Sequence, residues 1–432
     1  MAEQPDRRTF LTGAGAAALA GLTAACASDA SGPPDDAIAE PTSAAELAAA
    51  SEPAIEEAPG PQPVAFRSTR QLGVLAPPQP SGLVAAFDVA VDSHDALAAT
   101  LQDLSAEIER IMGGGPPVES EGFLPPVDSG VVDSSTSTTG IAITLAVGSS
   151  LFDDRFGLAD RRPRELIVMP TFFNDRLVRP ELSNGDLALT IAGPSQQAVT
   201  YALQQIVRVS DRRLQLRWVQ DGYNELLPPG PERIAPVRNL MGFRDGTSNL
   251  DTTDESVMER HVWVSAIDDE PGWAVGGTYQ AVRTIRMLIE FWATAALVRQ
   301  EQIFGRHRDS GAPLGQTSEG EEPIFAATRS DEGVPRRSHI RLANPRTPDA
   351  ARILRRGFSY ANGADLETGT LDQGLLFMCF QRSLTRGFLE VQSRLEGEPL
   401  EDYVKPVGGG LFFALPGPGT GPDGWLGESL LT

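Results

Sequence analysis

Four histidines, one aspartate set between glycines and several arginine-dense segments carry most of the chemistry open to this 432-residue chain. His94 follows Ser93, a residue type that caps helices, and His261 lies in "MERHVWV", so both read as solvated or packing residues. His307 is flanked by Arg306 and Arg308, and neighbouring cations disfavour a further charge there. His339 differs, because "PRRSHIRLANPR" gathers arginines around it in an acidic protein. Guanidinium forks suit carboxylates and phosphates. The cluster therefore reads either as an anion site with a histidine at its centre or as arginines paired with surface carboxylates. "NLMGFRDGTSNL" at 239–250 has the same two-sidedness. It is a turn rich in Asx-type hydrogen bonds, or a loop presenting Asp245 to a reacting group.

Other chemistries lack their residues. No two histidines stand at i, i+3 or i+4 and no HExxH occurs, so a metal site built from several side chains is not expected. The "GGG" at 408–410 has no lysine and Ser/Thr after it, and GxSxG is missing. Of two cysteines, Cys26 lies near the N-terminus and Cys379 sits in the apolar run "LLFMCF", which reads as a buried core thiol and excludes an intrachain disulfide in the body. What remains is one candidate axial histidine, one loop aspartate and several arginines among apolar strands.

The elements that must position them follow from composition and periodicity. With 36 basic and 58 acidic residues the chain carries a net charge of −22, which disfavours nucleic acid and anionic membrane as partners. Arg7 and Arg8 precede a weakly apolar Ala/Gly/Leu run that ends in small residues, the pattern of a twin-arginine signal over 1–26. That run is too short to span a bilayer, so no transmembrane segment is expected in the mature chain. The expected location is the periplasm, cell surface or exterior; "LTAAC" would be an imperfect lipobox, with Thr23 where leucine is usual. Residues 27–65 are Ala, Pro, Glu, Asp and Ser with almost no aromatics, and read as a tether. Beyond it, 82–91 reads as a strand, the stretch after Ser93 as a helix with Leu97, Leu101, Leu104 and Ile108 on one face, and 186–193, 195–210 and 213–220 as strand, helix and strand. The second half repeats the order: strand at 276–288, helix at 290–304, strand at 374–381, helix at 383–395 and strand at 408–417. This predicts a duplicated α+β unit with helices on one face of each antiparallel sheet, divided as 66–235 and 236–432 in the proline-bearing segment around 230–240.

"GFRDG" at 242–246 resembles the GxxDG motif of dye-decolourising (DyP-type) haem peroxidases. The likeness extends through "GVLAPP", "GDLALTIAG", "LRWVQDGY", "GGTYQAVRTIRM", "FGRHRDSGAPLG", "SHIRLANPR", "ILRRGFSY", "GLLFMCFQ" and "VKPVGGGLFFALPG", covering roughly 66–432. The signal and "SHIRLANPR" are similar in particular to the exported deferrochelatase/peroxidase branch, associated with ferrous iron uptake. The resemblance implies two ferredoxin-like domains with haem b held mainly by the second. It implies His339 as proximal ligand to the haem iron and Asp402, next to Glu401, as its acidic partner. On the distal side it implies Asp245 as proton shuttle and Arg355 as the arginine that orients peroxide, with an acidic optimum for dye oxidation. Gly246, Thr247, Ser248, Asn344, Pro345 and Arg346 match haem-lining positions, Arg306 matches a propionate partner, and Leu375 and Phe377 would roof the pocket. A narrow roof admits peroxide but not dyes, which would be oxidised through surface aromatics; Trp292, Tyr360 and Tyr403 are candidates. Leu250 departs from the family pattern, which has proline there. The implied activity is reduction of hydrogen peroxide by a reducing co-substrate through a ferryl intermediate. Its rivals are release of iron from haem with the ring intact, together with iron-uptake components, and haem carriage; a homodimer is compatible with each. A calcium loop at Asp245 is disfavoured by the scarcity of carboxylates around it.

Overall fold

Alternate residues of the strand predicted at 82–91 serve two different cores. In the computed structural model, which describes residues 63–432 except 116–121, 124, 127, 133–137, 228–236, 326–332, 346, 348 and 349, strand β1 (Ser81–Val89) turns Leu83, Ala85 and Phe87 into one apolar cluster and Val84 and Ala86 into another. This is the period-two geometry of a strand covered on both faces. The outer cover is α1 (His94–Met112) with α2 (Gln196–Ser210). Ser93 and Ser195 cap them, each hydroxyl accepting from a backbone N–H three residues on, at 3.3 and 3.2 Å. The predicted stripe Leu97, Leu101, Leu104 and Ile108 is fully buried beneath α1.

The first half adds β2 (Ala142–Gly148), which the sequence reading passed over, β3 (Leu187–Gly193) and β4 (Leu214–Tyr223). The second half begins with a two-residue ladder, β5 (Val237–Arg238) with β6 (Arg244–Asp245). It continues with α3 (Glu255–His261), β7 (Thr278–Met287), α4 (Ile289–Trp292), α5 (Leu297–Phe304) and α6 (His339–Ala343). Then follow β8 (Leu354–Arg355), β9 (Phe358–Asp365), β10 (Thr370–Gln381), α7 (Glu390–Leu395) and β11 (Val404–Ala414).

The antiparallel sheets expected for the two halves join edge to edge. The order is β7-β11-β2-β3-β1-β4-β9-β10-β8, and β10 also pairs with β7, so the sheet closes on itself. The joints are β11 with β2 and β4 with β9. Closure removes the unpaired edges that an open sheet presents. Its interior cluster takes Val84 and Ala86 from the first half and Val282, Met378 and Phe412 from the second.

Two predicted helices are interrupted. The helix expected at 290–304 breaks at Ala296 (φ −58°, ψ 144°), and Gln300 Nε2 donates to the carbonyl of Ala295 and to that of Trp292, which also accepts from Ala295 N. The helix at 383–395 opens with a π turn, Thr385–Leu389. No helix among the described residues is long and apolar enough to cross a membrane. The signal, Cys26, nearly all of the tether, most of the inter-half segment and Arg346 lie outside the described residues.

Candidate active site

His339 opens α6 with its ring on a cavity of about 980 Å³. Nδ1 lies 3.0 and 3.1 Å from the two carboxylate oxygens of Glu398, whose side chain is almost wholly buried. With Nδ1–H donating to that carboxylate, the Nε2 lone pair is the ring's free ligand. Burial disfavours the imidazolium, but the charge of Glu398 and its hydrogen bond outweigh burial. Arg355 opposes protonation and Asp245 favours it, and the net effect raises the proton affinity of His339 above the ordinary value.

Glu398 corrects the expectation of Asp402. The segment 399–402 is a 3₁₀ turn that starts at Pro399, and Glu398, its extended N-cap, reaches back to His339. Asp402, at the far end of the turn, is exposed and does not line the cavity. Glu401 lines it, accepting from the Gly397 N–H at 3.1 Å.

The aspartate loop is positioned from both ends. Asn239 Oδ1 accepts from the N–H groups of Met241 and Phe243, both at 3.1 Å, closing the turn between β5 and β6. Gly242 (φ +90°) and Gly246 (φ +103°) occupy backbone conformations that a Cβ disfavours, and Asp245 between them lines the cavity. Phe243 packs downward, stacked on Phe304 at 4.0 Å between ring centroids, and Phe304 in turn meets the His339 ring at 6.1 Å. At the loop's exit, Asn249 Oδ1 accepts from Arg355 N at 2.9 Å and its Nδ2 donates to Arg355 O at 2.8 Å. This reciprocal pair ties Asp245's loop to the backbone of the predicted distal arginine, a function that sequence reasoning did not give Asn249. Leu250, the departure from the family pattern, is buried in the sheet's interior cluster and anchors the loop by packing.

Arg355 brings a guanidinium to the cavity whose Nε is buried with no hydrogen-bond partner. The alternation along β10 sends Leu375 and Phe377 to the cavity together, opposite Ile285 and Arg283 of β7. Gly246, Thr247, Ser248, Asn344 and Pro345 line the same space. Arg306, buried, donates to the carbonyls of Gly311 (2.7 Å) and Glu319 (3.3 Å) and to Ser248 Oγ (3.4 Å). Glu319 was missed from sequence. Its buried carboxylate pairs with Arg244 and accepts from Thr247 Oγ1 at 2.7 Å, fixing both neighbours of the Asp245–Gly246 step.

The remaining candidates lie apart from the cavity. His261 is buried and accepts from Arg352 N at 3.3 Å, His307 lies 3.3 Å from Glu301, and His94 is exposed at the start of α1. Trp292 and Tyr360 are buried rather than at the surface, which corrects their reading as surface aromatics. Tyr403 is half-buried, 4.9 Å from the Trp292 ring and stacked at 4.8 Å on Phe291, which is exposed.

Comparison with known proteins agrees with this geometry. The Dyp-type peroxidase N-terminal model matches residues 71–224 and the C-terminal model residues 236–418. A deferrochelatase of Shigella sonnei is 40% identical over 432 residues, covering 99% of this chain and 97% of that protein. Ferric DtpA from Streptomyces lividans is similar with a TM-score of 0.77 and 32% identity over 86% of this chain and 98% of that one. A DyP-type peroxidase from Cellulomonas bogoriensis follows at 0.74 and 28%, over 87% and 99%. Two domain models in succession, over a sheet that places Asp245, Arg355 and His339 on one cavity, leave a single assignment: the chain belongs to the Dyp-type peroxidase family of oxidoreductases.

Proposed function

We propose that the protein is a haem peroxidase that reduces hydrogen peroxide and oxidises dyes or other bulky reductants, with His339 as the iron ligand and Asp245 and Arg355 as the distal pair. The observation that carries this reading is a histidine backed by a buried carboxylate sharing one cavity with a loop aspartate and an arginine whose buried Nε has no hydrogen-bond partner among the described residues. The residues fit a haem. The cavity lies at the upper end of the roughly 300–1,000 Å³ usual for small-molecule sites, and Arg306, held by carbonyls and a hydroxyl, keeps its charge for a propionate. Among the described residues no three metal-binding side chains gather, so an iron held here arrives with most of its ligands supplied by a macrocycle.

When bound, haem supplies the iron at which the peroxide O–O bond is cleaved and from which oxidising equivalents are passed on. Glu398 accepts from His339 Nδ1, fixes the tautomer and makes Nε2 a stronger donor. Asp245 takes the proton from one peroxide oxygen and returns it to the other, a shuttle worth roughly 10²–10⁴ in rate. The Arg355 guanidinium stabilises the negative charge on the departing oxygen. Leu375 and Phe377 keep bulky molecules out. His339→Ala, folded, should show no Soret band when haem is supplied, and an unchanged band would overturn the assignment. Asp245→Asn should keep the band and lose about 10²-fold or more in peroxide consumption.

A second reading is favoured by relatives named deferrochelatase that match 99% of the chain. In it the same pocket releases iron from haem and leaves the ring intact. Incubating the purified protein with haem and assaying metal-free protoporphyrin, in parallel with peroxide-dependent oxidation of an anthraquinone dye, separates the two. We further infer export by the twin-arginine route; replacing Arg7 and Arg8 by lysine should keep the protein in the cytoplasm.

A further inference from the structure

Arg355 ends β8 and Arg356 continues its pairing with β10 for one more residue, so their side chains leave the chain on opposite faces. Arg355 lies opposite Cys379 and Leu354 opposite Phe380, and Arg356 N donates to Met378 O at 2.9 Å. Arg356 therefore stands on the face of Leu354, Met378 and Phe380, all members of the closed sheet's interior cluster. There it has almost nothing to hold. Its Nη1 donates to Arg355 O at 3.4 Å, and its Nε is buried without a partner among the described residues.

Arg306 is buried without an ion pair but is held by two carbonyls and a hydroxyl, and four other low-exposure arginines have carboxylates. Arg244, Arg283, Arg286 and Arg382 each face a carboxylate, from Glu319, Asp175, Asp365 and Asp268. Arg356 makes no ion pair among the described residues, and burial alone pulls its guanidinium down to about 10. It is thus a cation at neutral pH, only partly exposed and faced by no carboxylate among the described residues, an arrangement that leaves its charge open to a ligand that brings the opposite one.

The cavity reaches this face, where Arg356, Phe358, Met378, Phe380 and Thr190 line it. The Thr190 hydroxyl gives its proton only to Met378 Sδ at 3.8 Å, a weak acceptor, and can turn it to a better one. One guanidinium matches one negative charge, and its planar fork matches a carboxylate. The apolar wall beside it matches a hydrocarbon body rather than a hydrated inorganic ion.

We propose that this arm of the cavity is a binding site for a small organic carboxylate, held by the Arg356 fork with its apolar body against Phe358, Met378 and Phe380. The site lies on the other side of the strand pair from Arg355, within the cavity that His339 and Asp245 also line.

Calorimetric titration of the full-length, haem-loaded protein with benzoate should give saturable binding with one site per chain. Benzamide, which keeps the ring and loses the charge, should bind at least about tenfold more weakly. Arg356→Met should lose benzoate by a similar factor while its haem-free form melts no lower than the wild type, since the change removes an uncompensated charge. Arg355→Met should keep benzoate affinity within roughly twofold. Equal binding of benzamide, or benzoate binding unaffected by Arg356→Met, would overturn the proposal, as would its loss in Arg355→Met. So would absence of benzoate binding once haem is loaded together with weaker haem retention by Arg356→Met, which would give Arg356 to a propionate. The benzamide comparison uses wild-type protein, so the test survives a variant that fails to fold.

Discussion

If His339 holds the haem iron, as proposed, the carboxylate behind it sets how readily the ring exchanges a proton for the metal. In the haem-free protein the proton affinity of His339 is raised above its ordinary 6.5 by Glu398, against burial. The sign is fixed by that direction: the imidazolium–Glu398 pair contributes its full stability below 6.5 and loses it as pH rises through the raised value. Haem must displace the proton, so haem capture should strengthen with rising pH across that window and level off above it. Glu398→Gln keeps an acceptor but removes the charge, and should move the midpoint to lower pH. Soret titrations at a series of pH values measure this, and a midpoint unmoved by the substitution would disprove the coupling. Asn249→Ala removes both hydrogen bonds to the Arg355 backbone and should cost about 1–3 kcal/mol by denaturant unfolding, with slower peroxide turnover. The composition of their segments marked Asp245 and His339 as candidates but left each with two readings, and the resemblance over the matched segments was what set them on one pocket, where both lie. Glu398 was not legible, because "EGEPLED" offers four acids in seven residues and only the turn begun by Pro399 decides which one faces inward.

At the scale of the element, the closed sheet depends on backbones approaching more closely than side chains permit. Gly409 of β11 has φ +124°, and a Cβ there would lie 2.0 Å from Val282 O of β7. Gly409→Ala should therefore destabilise the protein by about 1–3 kcal/mol from the backbone alone, and more if β11 must shift from β7. Thermal melting of the haem-free protein reads this directly; a melting point within experimental error of the wild type would show that the strand adjusts without cost. The "GGG" run was read as the start of a strand, and it is strand, but its bulged register between Pro406 and Gly408 has no signature in composition. The helices over α1 and α2 were legible through caps and apolar spacing, which are local signals. The interruption before α5 was not, since the Gln300 side chain that donates to carbonyls at the break reads as one more helix former.

For the whole molecule, the two ferredoxin-like units read in succession are present and share one closed sheet. Local periodicity reports that a strand exists and which of its faces are apolar, but not which strand lies beside it, and the joints of β11 with β2 and of β4 with β9 span the chain. The interior cluster is also shared, since Val84 and Ala86 pack with Val282, Met378 and Phe412. A first half made alone as 66–235 would keep its caps and the α1–α2 cover, yet expose β2 and β4 as unpaired edges above an interior face with nothing to bury it. We expect that fragment to aggregate or to unfold without a cooperative transition, while the haem-free full chain melts in one step in calorimetry. Adding the 236–432 half in trans should restore a cooperative transition, because it returns both missing strand partners and the other wall of the interior. Cooperative melting of the isolated first half, at the temperature of the full chain, would mean that the shared sheet contributes little and that each half carries its own stability.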